Sequence, residues 1–135
     1  MMFTQLHCLN TFYRKVLSMS KEKDEQEAFV RYCEMKGIIC VFVANGFPIS
    51  GNINKYAYIN SLKAQGYRTG FPDLMVLAQN SKKEVLFIEF KREKGGRLSS
   101  KQVEWQNRLH ELGYDSYVAK GAKEAIVILE EWLSR

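Results

Sequence analysis

A chain of 135 residues, 46 % hydrophobic and 26 % charged, suits one domain around one core and excludes a disordered polyelectrolyte. Twenty Lys and Arg against fifteen Asp and Glu leave a net charge of +5, which suits an anionic partner such as nucleic acid. The three cysteines, Cys8, Cys33 and Cys40, are odd in number and have no CxxC spacing, which argues against a disulfide framework or zinc ribbon.

In chain order, residues 1–20 form an N-terminal extension that reads as an arm, an extra helix or a dimer element. Leu6, Leu9, Phe12, Tyr13, Val16 and Leu17 fit one helical face, and Asn10 and Thr11 oppose it. The segment has neither an early basic region nor a long apolar run, so it does not read as a signal peptide. The longest apolar run, residues 38–44, is too short to span a membrane, and a cytoplasmic, reducing location is expected. Cys33 and Cys40 are then expected to pack as small hydrophobes.

The spacing predicts a helix over about 21–36, with Ser20 as N-cap, acids Asp24, Glu25 and Glu27 in its first turns, and Gly37 as its stop. "IICVFVA" reads as a buried strand, and "NGFPISGN" as a turn-rich exit from it. A helix over about 55–65 ends at Gly66. "DLMVLAQ" and "EVLFIEFK" are the next strands, and the turn-like "NSKK" between them predicts an antiparallel pair. "KREKGGRL" is a basic loop. A helix follows from Ser99 or Ser100 to about 112, then the strand "DSYVAK" and a helix over about 123–134. That order implies an α/β protein with a mixed sheet of about four strands flanked by helices.

The second and third strands carry the chemistry. Side chains two apart on a strand share a face, so Glu89 and Lys91 point together while Phe90 points into the core. Asp73 follows Pro72 at the mouth of the neighbouring strand, so antiparallel pairing brings it to the same rim. Two carboxylates held close gain from sharing a hard divalent cation, and a nearby ammonium can stabilise charge building on phosphorus. The same three residues are open to a plainer reading as a surface ion pair and a stray acid. The basic loop offers Arg92, Lys94, Arg97 and Lys101 to phosphates, with Arg68 and Lys63 extending the surface; a solvated, mobile loop is the plainer alternative. Trp105 and Trp132 read as core. His7 and His110 have no metal-like spacing, and there is no glycine loop for a nucleotide cofactor.

"GFPDL" followed by "IEFK" resembles the signature of the PD-(D/E)xK nucleases, whose core is restriction-endonuclease-like. "LKAQGYRTGFPDLMVL" and "FIEFKREKGGRLSSKQVEWQNRLHELGYDSYVAKGAKEAI" together resemble the VRR-NUC domain of that superfamily, from about residue 21 to the end. The resemblance implies a metal-dependent nuclease using Mg2+ or Mn2+. Asp73, Glu89 and the Phe90 carbonyl would be metal ligands, and Lys91 the catalytic lysine. Glu22, spaced four from Gln26, would be the acid of the first helix, with Glu25 as second choice. Gln102 would lie beside the site. Asn45 and Gly46 resemble a turn of the family, with Val43 and Ala44 in place of its proline context. Compact relatives of this kind imply a phage or bacterial setting, a homodimer, and branched DNA such as four-way junctions as substrate. A flap, duplex or restriction-type nuclease, or a non-catalytic DNA-binding module, are the alternatives.

Overall fold

The computed structural model describes residues 21–43, 54–78 and 84–135. In chain order these form α1 (Glu22–Met35), β1 (Ile39–Phe42), α2 (Lys55–Ala64), β2 (Leu74–Leu77), β3 (Leu86–Lys91), α3 (Ser100–Glu111), β4 (Asp115–Lys120) and α4 (Ala122–Leu133). The expected N-terminal extension and the Asn45–Gly46 turn lie outside the described residues. No described helix is long and apolar enough to cross a membrane.

The strands form one mixed sheet in the order β1-β2-β3-β4. The β1–β2 and β2–β3 pairs are antiparallel, and β3–β4 is parallel, with α3 as the crossover between them. Strand alternation divides the sheet into two faces. Leu74, Val76, Leu86, Ile88 and Phe90 are buried on one face with Phe29 and Cys33 of α1 and Ala125, Leu129 and Trp132 of α4. Phe90 meets Phe29 ring to ring at 5.6 Å. Cys40 packs against this core as expected. On the other face, Phe87 contacts Phe71 and Tyr114, and the His110 ring nitrogen bonds the Ser116 carbonyl at 2.7 Å. α3 therefore covers the face that carries Glu89 and Lys91, and every residue of β3 is buried.

Two expectations are corrected. β1 was expected to be buried, but it is an edge strand with Ile39 63 % and Phe42 62 % exposed. Apolar content alone does not separate a central strand from an edge strand. α2 cannot shield it, since none of its own residues is buried. The first helix is also capped by Lys21 rather than Ser20, with the Lys21 N–H donating to Asp24 Oδ2 at 3.1 Å. Acids in the first turn can satisfy an orphan N–H from inside the helix, so a preceding serine is not needed. Gly37 ends the helix as expected, with φ 72°, a conformation that costs other residues.

Candidate functional site

The register sets the site. Leu74 of β2 pairs with Ile88 of β3, so the next residue outward on each strand places Asp73 beside Glu89. There the ladder gives way to side-chain chemistry: the Phe90 N–H donates to Asp73 Oδ2 at 2.9 Å. The Asp73 carbonyl in turn accepts from the Val43 N–H at 2.8 Å, which ties the segment to β1. Pro72, fully buried, holds the entry to the strand.

Glu89 is 2 % exposed and Lys91 8 %. Their ion pair, Lys91 Nζ to Glu89 Oε1 at 3.5 Å, is thus buried and not the surface pair that sequence left open. Glu89 Oε1 also accepts from Gln102 Nε2 at 2.6 Å. Gln102 is itself locked: its Oε1 accepts from the Ser99 N–H at 2.8 Å, and its own N–H donates to Ser99 Oγ at 3.2 Å. That reciprocal pair is the capping box of α3, so the residues that start the helix also aim an amide at Glu89. Both neighbours of Glu89 engage Oε1. Its Oε2 is buried and has no hydrogen-bond partner among the described residues.

Burial and the adjacent Asp73 carboxylate push the Glu89 carboxyl up to about 8, although Lys91 pulls the other way. Asp73 is raised as well, first by burial. The Phe90 N–H, Lys91 and the Glu89 side chain oppose that rise. The negative charge of Glu22 raises both groups. Of the acids of α1, Glu22 is therefore the one whose field reaches the pair. Glu22, Gln26 and Asp73 line one cleft of about 590 Å³, together with Arg31 and Phe42.

Glu25, the second choice among these acids, is used elsewhere. Its Oε2 accepts from the Ala122 N–H at 2.6 Å. The N-cap of α4 is Gly121, which has no side chain to offer, so Glu25 caps that helix across the fold. Glu27 lies along α1 in an exposed pair with Lys23 at 3.7 Å.

Residues 20–123 match the VRR-NUC domain. The chain belongs to the VRR-NUC family. Two solved structures share the fold of this VRR-NUC chain. One, a VRR-NUC domain protein, is 19 % identical with a TM-score of 0.63, over 85 % of this chain and 89 % of that one. The other, a VRR-NUC domain, is 19 % identical with a TM-score of 0.59, over 82 % of this chain and 96 % of that one. No curated protein matches the chain. Membership makes this a nuclease-family domain with a restriction-endonuclease-like core.

Within this VRR-NUC domain, no three His, Cys, Asp or Glu side chains among the described residues form a ready metal cage. The donor set is a carboxylate pair, and the fit to a divalent ion rests on the unpartnered Glu89 Oε2 and on the raised proton affinity of both acids. Such a pair is costly when ionised and empty, and a hard cation removes that cost.

The basic residues expected to meet phosphate divide into two groups. Arg92, Lys94 and Arg97 are exposed on the loop after β3. Lys101, Lys63 and Arg68 instead line a separate groove with Tyr67, Trp105 and Arg108. Trp132 is core as expected, 1 % exposed and donating to Asp115 Oδ2 at 3.0 Å. Trp105 was also expected to be core, but it is half-buried and forms part of that groove. Arg108 was missed. The signal was available, since 101, 104, 105 and 108 follow the i, i+3, i+4, i+7 spacing of one helical face.

Proposed function

We propose that the chain is a divalent-metal-dependent, structure-selective DNA endonuclease that acts on branched DNA, such as four-way junctions, as a homodimer. The observation that carries this reading is the buried Asp73–Glu89 pair, with one carboxylate oxygen unpartnered and Lys91 in contact with the other. Asp73 and Glu89 would hold Mg2+ or Mn2+. The Phe90 carbonyl would assist, since N–H and C=O of one strand residue face the same neighbour and its N–H points to Asp73. Glu22 stands in reserve on the cleft wall. A cation bound there supplies Lewis-acid polarisation of the phosphate and lowers the pKa of a coordinated water.

The protein's own groups do the rest. Gln102 and Lys91 fix the Glu89 carboxylate in one orientation by engaging its Oε1, which reserves Oε2 for the cation. Lys91 brings a positive charge to the point where negative charge builds as water attacks phosphorus in line, and its burial strengthens that effect. Shape and phosphates, read by the basic surface, select the substrate, because nothing among the described elements resembles a recognition helix. The exposed apolar side chains of edge strand β1 support self-association.

A labelled synthetic four-way junction, incubated with Mg2+ or Mn2+, should be cut. EDTA or Asp73→Ala should abolish cutting and leave metal-free binding of the junction in place. Parallel flap and duplex substrates identify which structure is preferred. Wild-type protein that binds all three and cuts none with either metal is a DNA-binding module, and the endonuclease reading fails.

A further inference from the structure

We infer that the groove between α3 and the segment after α2 binds a single DNA strand leaving the cleavage site, with Trp105 as the floor on which a base stacks. The inference rests on the nuclease reading for its substrate, but on separate residues for its geometry: the groove of about 310 Å³ shares no lining residue with the cleft around Asp73.

The walls are basic. Lys63 and Arg68 stand on one side and Lys101 and Arg108 on the other, against the single acid Glu104. Glu104 pairs with both Lys101, at 3.2 Å, and Arg108, at 3.6 Å. All three side chains are about half exposed or more, so these pairs are weak and yield to a phosphate. Arg68 is anchored, not waving: its Nη1 donates to the Lys63 and Tyr67 carbonyls at 3.0 and 2.9 Å, beyond the end of α2.

The floor is aromatic and rigid. Trp105 meets Phe71 edge-on at 5.2 Å and Phe71 meets Phe87 of β3 at 5.4 Å, while the Arg108 guanidinium lies over the Trp105 ring, 5.7 Å from its centre, and swings onto a phosphate when a base takes its place. Gly70 lies against the first turn of α3, where a Cβ would fall 2.7 Å from the Lys101 carbonyl carbon, so the segment after α2 packs close beside Lys101. Lys101 adjoins Gln102, which bonds Glu89, so the groove begins within one helical turn of the carboxylate pair. From Lys101 to Arg108 the helix rises about 10 Å, room for a short stretch of one strand. An aromatic floor in a concave basic groove suits a single strand, whose bases are free to stack. The bases of a duplex are already stacked on one another.

The test uses binding in EDTA, so it does not depend on cleavage. A fluorescein-labelled twelve-nucleotide oligo-dT and a blunt duplex of equal length are titrated with the full chain, read by anisotropy and by tryptophan emission. Oligo-dT should bind and quench emission. The quench should survive Trp132→Phe, since that ring is enclosed in the core, and vanish in Trp105→Phe. K63Q/R108Q, both at exposed positions, should keep the thermal midpoint and weaken oligo-dT binding about tenfold, with duplex binding within twofold of wild type. The slope of log affinity against log salt should flatten by about 1.4. Wild-type affinity and slope in K63Q/R108Q, a quench that persists in Trp105→Phe, or equal loss on both ligands would overturn the inference. A groove that passes while the chain cuts no substrate in Mg2+ leaves the single-strand groove standing and removes the endonuclease reading, and with it the link to cleavage.

Discussion

Glu89 is a carboxylate enclosed by protein, facing a second carboxylate, with one oxygen bound twice and the other not at all. In the absence of metal its pKa rises from the usual 4.5 to about 8, so the folded state holds the proton more tightly than the unfolded chain does. Between those two pH values stability must therefore fall as pH rises, and below the lower one this group contributes no slope. The change is on the order of a few kcal/mol. Glu89→Gln, neutral and of the same shape, should give a flatter pH profile in EDTA and a higher melting temperature than wild type at pH 8. Parallel profiles for the two proteins from pH 5 to 8 would show that Glu89 is not the strained group. Because a cation needs the ionised pair, apparent Mg2+ affinity measured by calorimetry should rise over the same window. Lys91→Ala should retain metal and DNA binding and lose cleavage by at least about a hundredfold, the scale typical of removing a transition-state charge partner. Cleavage at the wild-type rate would show that Lys91 serves only to balance Glu89.

At the scale of elements, the site is assembled by contacts between pieces distant in sequence. Glu25 of α1 caps α4, which locks together the two helices that close one face of the sheet. Glu25→Ala should cost about 1–2 kcal/mol by denaturant unfolding, and Glu25→Gln, which keeps an acceptor oxygen, should recover most of it. Equal losses in the two variants would mean that the charge, and not the cap, matters. Gly70 presses the loop before β2 onto the first turn of α3, at φ 84° and with backbone where a Cβ would go. Gly70→Ala should cost about 1–3 kcal/mol from its backbone conformation alone, and more from the clash. It should also impair cleavage well below its melting temperature, by displacing Gln102. Gly37→Ala is the control: φ is 72°, and nothing lies within 4 Å of the added methyl group. That variant should lose stability and keep activity.

For the whole molecule, the exposed apolar edge at β1 fits the proposed homodimer, and a two-fold axis would place two sites on one junction. Sedimentation should give about twice the 15.7 kDa of one chain. A monomer that retains full junction cleavage would rule the dimer out. The sequence by itself determined the helices, the strands and the rim where Asp73, Glu89 and Lys91 meet. Those follow from local signals: capping residues, terminal glycines, period-two alternation, and a turn-like run of sequence between two strands that do pair antiparallel. It did not show that β1 is an edge, because apolar composition is the same whether or not a neighbour covers the strand. It ranked Glu22 ahead of Glu25 but did not show what occupies Glu25, since both acids sit on the same first turn of one helix. That was decided by α4, whose uncapped N-terminus lies nearly a hundred residues away and takes Glu25. Trp105 and Arg108 were likewise sorted by packing, since their groove is completed by Lys63, Tyr67 and Arg68 from a distant part of the chain. Local preference writes the elements, but which side chain is left to do chemistry depends on which partners the other elements bring, and only the folded chain supplies those.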